Sequence, residues 1–358
     1  MLIHYIKIAW KVLLRRKLFS FISLFGICFT LVVLMLLASL MENEFGTNAP
    51  FSNKHDIVNI RNIEQKHVEI DTIYEIDSSR IVNEKIQYDT IDFKTQEESR
   101  TTASSNFSIK VFEDYLIHLK TPLHKAIISS EDVNIYRNNK KIVLHQIFTN
   151  EEYWEIMNFK FIEGKPFNKK NVDNREKGVV ITKKAKKDFF GNIGSVLGKE
   201  ITYENNTYQV MGLVENSNST YRLTHADIFI PYTLLPKIIL EDKDNMGPFS
   251  MVTLAKNKGD IENIKQEVTK LSKMVEPVSH PLSKYPFNQV KLNTNTYTEG
   301  YAMSLFNSEN ENNVRNLFLI LLAATLLFIL IPTINLININ VSRIAERSSE
   351  IGTRKAFG

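Results

Sequence analysis

The sequence predicts an α+β extracytoplasmic domain held between two transmembrane α-helices, on three observations. Two windows, Leu18–Met41 and Leu317–Ser342, contain no charged residue, and each exceeds the roughly 20 apolar residues that carry a helix across a hydrocarbon core. Residues 42–316, by contrast, are rich in Asn, Lys, Glu and Thr, as in a water-soluble region. That region also interleaves alternating, strand-like runs with helical periodicity, the pattern of an α+β fold. The 358-residue chain is 43% apolar with a formal charge of +4, an average that conceals this segregation.

The charges beside the spans set the expected orientation. Lys7, Lys11, Arg15, Arg16 and Lys17 precede the first, and Glu42 and Glu44 follow it. Glu309, Glu311 and Arg315 precede the second; Arg343, Arg347, Arg354 and Lys355 follow. Positive charge flanks a span on its cytoplasmic side, so both termini are expected inside and the large domain outside. The first apolar run is longer than a signal-peptide core, and ASLMEN after it lacks a small-x-small cleavage site, which favours an uncleaved anchor. Cys28, the only cysteine, lies in that span. The outer domain therefore has no disulfide and must rely on its own core.

In chain order, residues 1–17 read as an amphipathic interfacial helix. His4, Lys7, Lys11 and Arg15 share one face while Ile6, Ala9, Trp10 and Leu13 share another. Trp10 is expected at headgroup depth, with Lys7, Lys11, Arg15 and Arg16 towards anionic lipid. A first span, 18–41, follows, and Gly46 and Pro50 break its helix. HDIVNIR (55–61) reads as a strand, 62–106 as a polar insertion with hairpin character, and SIKVFEDYLIHLK (108–120) as a helix. Strands around an Asn-Asn turn fit 124–148. Asn150 is expected to cap a short helix whose Tyr153, Trp154 and Met157 face a core. GVVIT reads as a strand and KKAKKDFFG as a helix stopped by Gly191. KEITYENNTYQVMGLVE reads as a hairpin with Asn205-Asn206 at its turn. ADIFIPY, MVTLAK and GDIENIKQEVTKLSKMV add strand, strand and helix. NSENENNVRN contains neither Gly nor Pro, so the second spanning helix is expected to extend outward as a stalk. Within that span, Pro332 with Asn335 and Asn338 suggests a local polar kink, or equally polar helix–helix packing.

Motifs for chemistry are wanting. GNIGSVLGKE places only three residues between Gly194 and Gly198 and puts Glu200 where a phosphate loop needs a hydroxyl; a turn explains it better. The eight histidines are scattered without ligand spacing, and no nucleophile elbow or catalytic cysteine occurs in the outer region. No catalytic residue, metal site or cofactor is assigned to this chain, and it is not expected to be an enzyme.

The tail, VSRIAERSSEIGTRKAFG (341–358), is more specific than a basic flank. Glu350 and Arg354 stand four apart, charges of both signs interlace, and Ile344 and Ile351 share a face seven residues apart. ERSSEIGTRKAFG resembles the EIG-x-R-K-x-x-G signature of FtsX-like permeases, the MacB-type family of ABC transporter subunits. IAWKVLLRRKLFSFISLFGICFTL resembles the family's opening helix and first span. EEYWEIMNFKFIEGKPF, VVITKKAKKDFFG and VLGKEITYENNTYQVMGLVEN resemble successive landmarks of its periplasmic core domain.

The resemblance implies a permease in the bacterial cytoplasmic membrane that transmits the motion of a separate ATPase, which binds ATP and Mg. It implies a coupling segment, 341–358, that meets this ATPase through Glu346, Glu350, Ile351, Gly352, Arg354 and Lys355. Further implied partners are a second permease chain (homo- or heterodimer), membrane lipid, and a periplasmic adaptor or cargo, with no nucleic acid. The outer domain would comprise a porter-like unit, 42–135 and 225–300, with a Sabre-like unit inserted at 136–224, then a stalk at 301–316 and the second span at 317–340. The family has four spans and this sequence shows two, stopping within the signature, so a chain truncated before the third span is expected. A two-span sensor with an external ligand-binding domain is the alternative. It predicts heptad-patterned helices after the membrane, whereas the tail offers one heptad spacing, with Gly352 inside it.

Overall fold

The computed structural model describes all residues except 1–3, 5–16, 83–84, 138–139, 218–222, 309, 311 and 358. Lys7, Trp10, Lys11, Arg15 and Arg16 of the expected interfacial helix lie outside the described residues, as does the Asn138-Asn139 turn. The chain divides into two units: Thr47–Gly300, and Met1–Gly46 together with Tyr301–Gly358.

The second of these is helical. α1 (Lys17–Phe45) and α9 (Asn313–Phe357) pack on one another, and each carries a 22-residue apolar stretch, Leu24–Phe45 and Asn313–Ile334. Only 6% of either stretch's apolar window is buried within the protein. A core helix of a soluble protein would be covered, so these surfaces suit lipid. Phe21, Phe25 and Phe29 stack one turn apart, with centroids 6.0 and 6.1 Å apart. The hydroxyls of Thr30, Thr325 and Thr333 donate to the carbonyls four residues earlier at 2.8–2.9 Å, which satisfies them without water.

The expected continuous stalk over 301–316 is not formed. The helix α8 (Tyr297–Phe306) ends at Asn307, whose φ of 48° is left-handed, and α9 begins only at Asn313. Asparagine tolerates that conformation, and its side chain competes for backbone groups; Asn313 Nδ2 donates to the Ser308 carbonyl at 2.6 Å.

The unit Thr47–Gly300, labelled the outer unit after its expected side of the membrane, is built, among the described residues, on one eleven-stranded sheet. Its strands are β1 (Ile57–Val82), β2 (Lys85–Asn106), β3 (His124–Arg137), β4 (Lys140–Thr149), β5 (Phe161–Gly164), β6 (Gly178–Thr182), β7 (Glu200–Tyr203), β8 (Asn206–Val214), β9 (Ile228–Pro231), β10 (Ser250–Leu254) and β11 (Gln289–Thr296). The order is β11-β1-β10-β3-β4-β9-β6-β8-β5, with β2 on β1 and β7 on β8. Among the described residues, only β4–β9 and β6–β8 are parallel pairs. β1 changes neighbour along its length: residues 57–60 pair with β10, and from Asn62 onward that side is taken by β2. Pairing with β11 stops at Lys66, so β1 and β2 continue beyond it as a two-stranded ribbon.

Helices α2 (Ile109–Asp114), α3 (Tyr153–Ile156), α4 (Lys169–Asp173), α5 (Lys183–Phe190), α6 (Lys237–Leu240) and α7 (Asp260–Ser272) accompany the sheet. Local chemistry starts them. Ser108 caps α2, Thr182 caps α5, and Asn168 with Asn171 forms a reciprocal capping box on α4. Trp154 lies edge-on to Phe159, Phe161, Phe167 and Phe229 at 5.2–5.9 Å, so the short α3 is held by burial rather than by propensity.

Two local expectations are corrected. Asn150 does not cap α3 with its side chain; Glu152 occupies the cap position, and the Asn150 amide donates to the Lys125 carbonyl at 3.0 Å. The Lys125 carbonyl of β3 holds the amide through its Nδ2, and its Oδ1, the atom a cap would use, accepts no N–H of α3. The β7–β8 turn is centred on Glu204-Asn205, with φ of 47° and 60°, not on Asn205-Asn206. The two left-handed residues fix the turn at Glu204-Asn205, and in the resulting register Ile201, Tyr203, Tyr208 and Val210 are buried on one face.

Candidate functional site

The charged tail is a continuation of the apolar helix. α9 runs without interruption through Pro332 to Phe357, about 67 Å at 1.5 Å per residue. Pro332 has no N–H to donate within that helix, and the Thr333 hydroxyl beside it bonds the Ile329 carbonyl at 2.8 Å. Asn335 and Asn338 follow one and two turns on, in the same helix.

The residues expected to couple, Glu346, Glu350, Ile351, Gly352, Arg354 and Lys355, all lie within the last 12 residues of α9. Ile344 and Ile351 are 67% and 62% exposed, an apolar pair that nothing in the described protein covers. A Cβ added at Gly352 would meet nothing within 4 Å. Arg354 and Lys355 are exposed in the final turn, where cations complement the helix dipole.

The outer unit contains polar contacts that sequence spacing does not reveal. Asp227, beside β9, is buried; Lys184 of α5 reaches both its oxygens at 2.9 Å, and its Oδ2 accepts the His145 N–H at 3.1 Å. This ties α5 to the β4–β9 seam. The β3–β4 register sets Asp132 opposite His145, with Oδ1 2.7 Å from Nδ1, and the His225 ring lies 5.0 Å from that of His145. Glu267 of α7 is raised by burial, yet the backbone N–H groups of Lys120 and Thr121, at 2.8 and 3.0 Å, outweigh this and hold its carboxyl below the ordinary value. Among the described residues no three acidic, histidine or cysteine side chains are grouped to hold a metal.

Comparison with known proteins follows the same outline. The family profile of the MacB-like periplasmic core domain matches residues 20–271. The pyoverdine export ATP-binding/permease protein PvdT of Pseudomonas syringae pv. syringae (strain B728a) is 25% identical over 205 residues, 57% of this chain and 28% of that protein. The macrolide export ATP-binding/permease protein MacB of Escherichia coli (strain K12) is 22% identical over 231 residues, 64% of this chain and 32% of that one. The chain thus spans about a third of the length of the curated relatives it matches. Among solved structures, the periplasmic region of MacB from Actinobacillus actinomycetemcomitans aligns with a TM-score of 0.39 at 16% identity, over 57% of this chain and 86% of that one. The extracellular domain of the ABC-type transporter YknZ from Gram-positive bacteria aligns at 0.38 and 14%, over 46% and 81%. With the family profile extending over more than half of its residues and an apolar helix on either side of the sheet domain, the chain belongs to the MacB-like periplasmic core domain family of ABC transporter permeases.

Proposed function

We propose that this chain is a permease subunit of a MacB/FtsX-type ABC transporter in the bacterial cytoplasmic membrane. In this reading both termini are cytoplasmic and the sheet domain is periplasmic. It carries ATP-driven motion from a cytoplasmic ATPase, which binds ATP and Mg, to that domain for export, extraction or mechanical work. The observation that carries the reading is the single helix α9, which joins an apolar stretch of spanning length to the EIG-x-R-K segment. A hydrogen-bonded helix passes a displacement at one end to the other, where a flexible linker would absorb it.

The exposed Ile344 and Ile351 supply an apolar docking ridge, Gly352 permits a partner's backbone to approach closely, and the interlaced charges select the register of the contact. Two permease chains would pair around two ATPase subunits. The export functions in the names of PvdT and MacB make export the first output to examine. The test is the Glu350→Lys variant of the full chain, tagged and purified from native membranes. An ABC ATPase identified by mass spectrometry should co-purify with the wild type and fall about tenfold in the variant, about 1.4 kcal/mol, at equal membrane insertion. Undiminished co-purification would overturn the contact.

A further inference from the structure

A cleft of about 100 Å³ opens on the outer unit where the end of β4, α4 and the segment after β9 converge. Asn150 is part of its wall and only 8% exposed. Its Nδ2 donates to the Lys125 carbonyl at 3.0 Å, but its Oδ1 is buried without any hydrogen-bond partner. Reversing the amide would set oxygen against the Lys125 carbonyl, so the orphaned atom is an acceptor in need of a donor.

The cations of the wall do not fill that need. Lys125 Nζ donates to the carbonyls of Ile117 and Leu119, and Lys169 Nζ stays with Asp173 in an exposed pair. The remaining polar side chains are the carboxylates of Glu151, Asp173 and Glu152, the last accepting the Lys125 N–H at 2.7 Å, and the Tyr232 hydroxyl, none of which donates to Asn150 Oδ1. Burial first, and then the charges of Glu113, Glu151 and Asp173, push the Tyr232 hydroxyl up to about 12, which reports a negative local potential. The Phe112 and Tyr232 rings, edge to face with centroids 6.4 Å apart, complete the wall, and aromatic faces attract cations. The frame is fixed from below: Thr149 Oγ1 donates to the Ile127 carbonyl, and Thr233 Oγ1 to that of Val172, each at 2.7 Å.

We propose that this cleft binds a primary ammonium group, carried by a small alkylamine or by a lysine side chain of a protein that meets the outer domain. Three N–H donors on one small cation match the Asn150 oxygen, the Tyr232 oxygen and one carboxylate. An anion is repelled, and an apolar group leaves Asn150 unpaired. The assignment stands apart from the coupling reading of α9.

The test is ligand-observed NMR on the full chain in non-ionic detergent. The probes are n-propylammonium, the capped peptide acetyl-Gly-Lys-Gly-amide, and choline as a cation of equal charge without N–H donors. Saturable propylammonium binding is expected, at least tenfold tighter than choline at constant ionic strength. Glu151→Gln/Asp173→Asn, which changes two side chains near the surface, should weaken it about tenfold, and Tyr232→Phe several-fold. Competition by the lysine peptide assigns the site to a protein partner, and its failure beside binding of the free amine assigns it to a small molecule. Equal binding of propylammonium and choline, no binding of either, or unaltered binding by the folded double variant overturns the proposal.

Discussion

Glu299 condenses several contacts into one carboxylate. With Thr296 it forms a capping box: Oε2 accepts the Thr296 N–H at 2.8 Å, and the Thr296 hydroxyl accepts the Glu299 N–H at 3.3 Å. Lys265 of α7 adds bonds of 2.7 and 2.9 Å to the same carboxylate. Burial alone would raise the Glu299 pKa, but Lys265 and Thr296 outweigh it, and the net shift is downward from 4.5. A depressed carboxylate contributes stability that is fully present above its unfolded value and is lost as pH falls through the lowered folded value. Glu299→Gln should therefore destabilise the protein at pH 7 by about 1 kcal/mol, allowing for solvent screening of a partly buried pair. Thermal unfolding followed by near-ultraviolet circular dichroism should show the two proteins converging as pH drops below 4.5; a constant gap would refute the linkage. The T-x-x-E spacing is a local signal that was not read as a helix start, and Lys265 offers no local signal at all, because α7 and α8 are brought together only by the fold. The same holds for Lys184 and Asp227, separated by 43 positions. Asn150 has the right residue type for a cap but lies two positions before the cap residue Glu152, and its amide is held on a strand carbonyl that no local pattern announces.

Elements were most legible where burial dictates the pattern. GVVIT is buried at every position, and an apolar run bounded by a turn and a capping Thr needs no further information. The long ribbon was harder, since its alternation is largely polar and its length depends on pairing. There the register sets Glu69 opposite Glu98, an unfavourable juxtaposition that Arg100 relieves, with Nε 2.8 Å from Glu69 and Nη1 2.9 Å from Glu98. The four-residue β5 was missed because its partner β8 lies about fifty residues on, with no adjacent turn to mark the pair as one marks β7, and the stalk was overextended because Asn-rich sequence has no Gly or Pro to mark a break. The β7–β8 hairpin yields a prediction at this scale. Its turn has positive φ at both central residues, the type I′ geometry that favours Asn and Gly, yet Glu204 occupies the first. Glu204→Asn should stabilise the hairpin by about 0.4–1 kcal/mol and raise the melting temperature by a degree or more. A lower melting temperature would mean that the Glu204 side chain makes a contact outweighing its backbone strain.

For the whole molecule, the decisive quantity is which face of the membrane each unit meets. The charges beside the spans make a prediction independent of any relative: five cations precede the first apolar run, and Arg343, Arg347, Arg354 and Lys355 follow the second. Because Cys28 is the only cysteine, a Cys28→Ala background allows single thiols to report topology without interference. Ser283→Cys places one on an exposed position of the outer unit, and Ser348→Cys places one in α9 beyond its apolar stretch. A membrane-impermeant maleimide should label Ser283→Cys in intact spheroplasts and leave Ser348→Cys unlabelled until the membrane is opened. This result is required by the coupling role, since Glu346, Glu350 and Arg354 can meet a cytoplasmic ATPase only from the cytoplasmic side. Labelling of Ser348→Cys in intact spheroplasts would place the tail outside, and the basic residues after the second span would then need another explanation, such as an extracellular acidic partner.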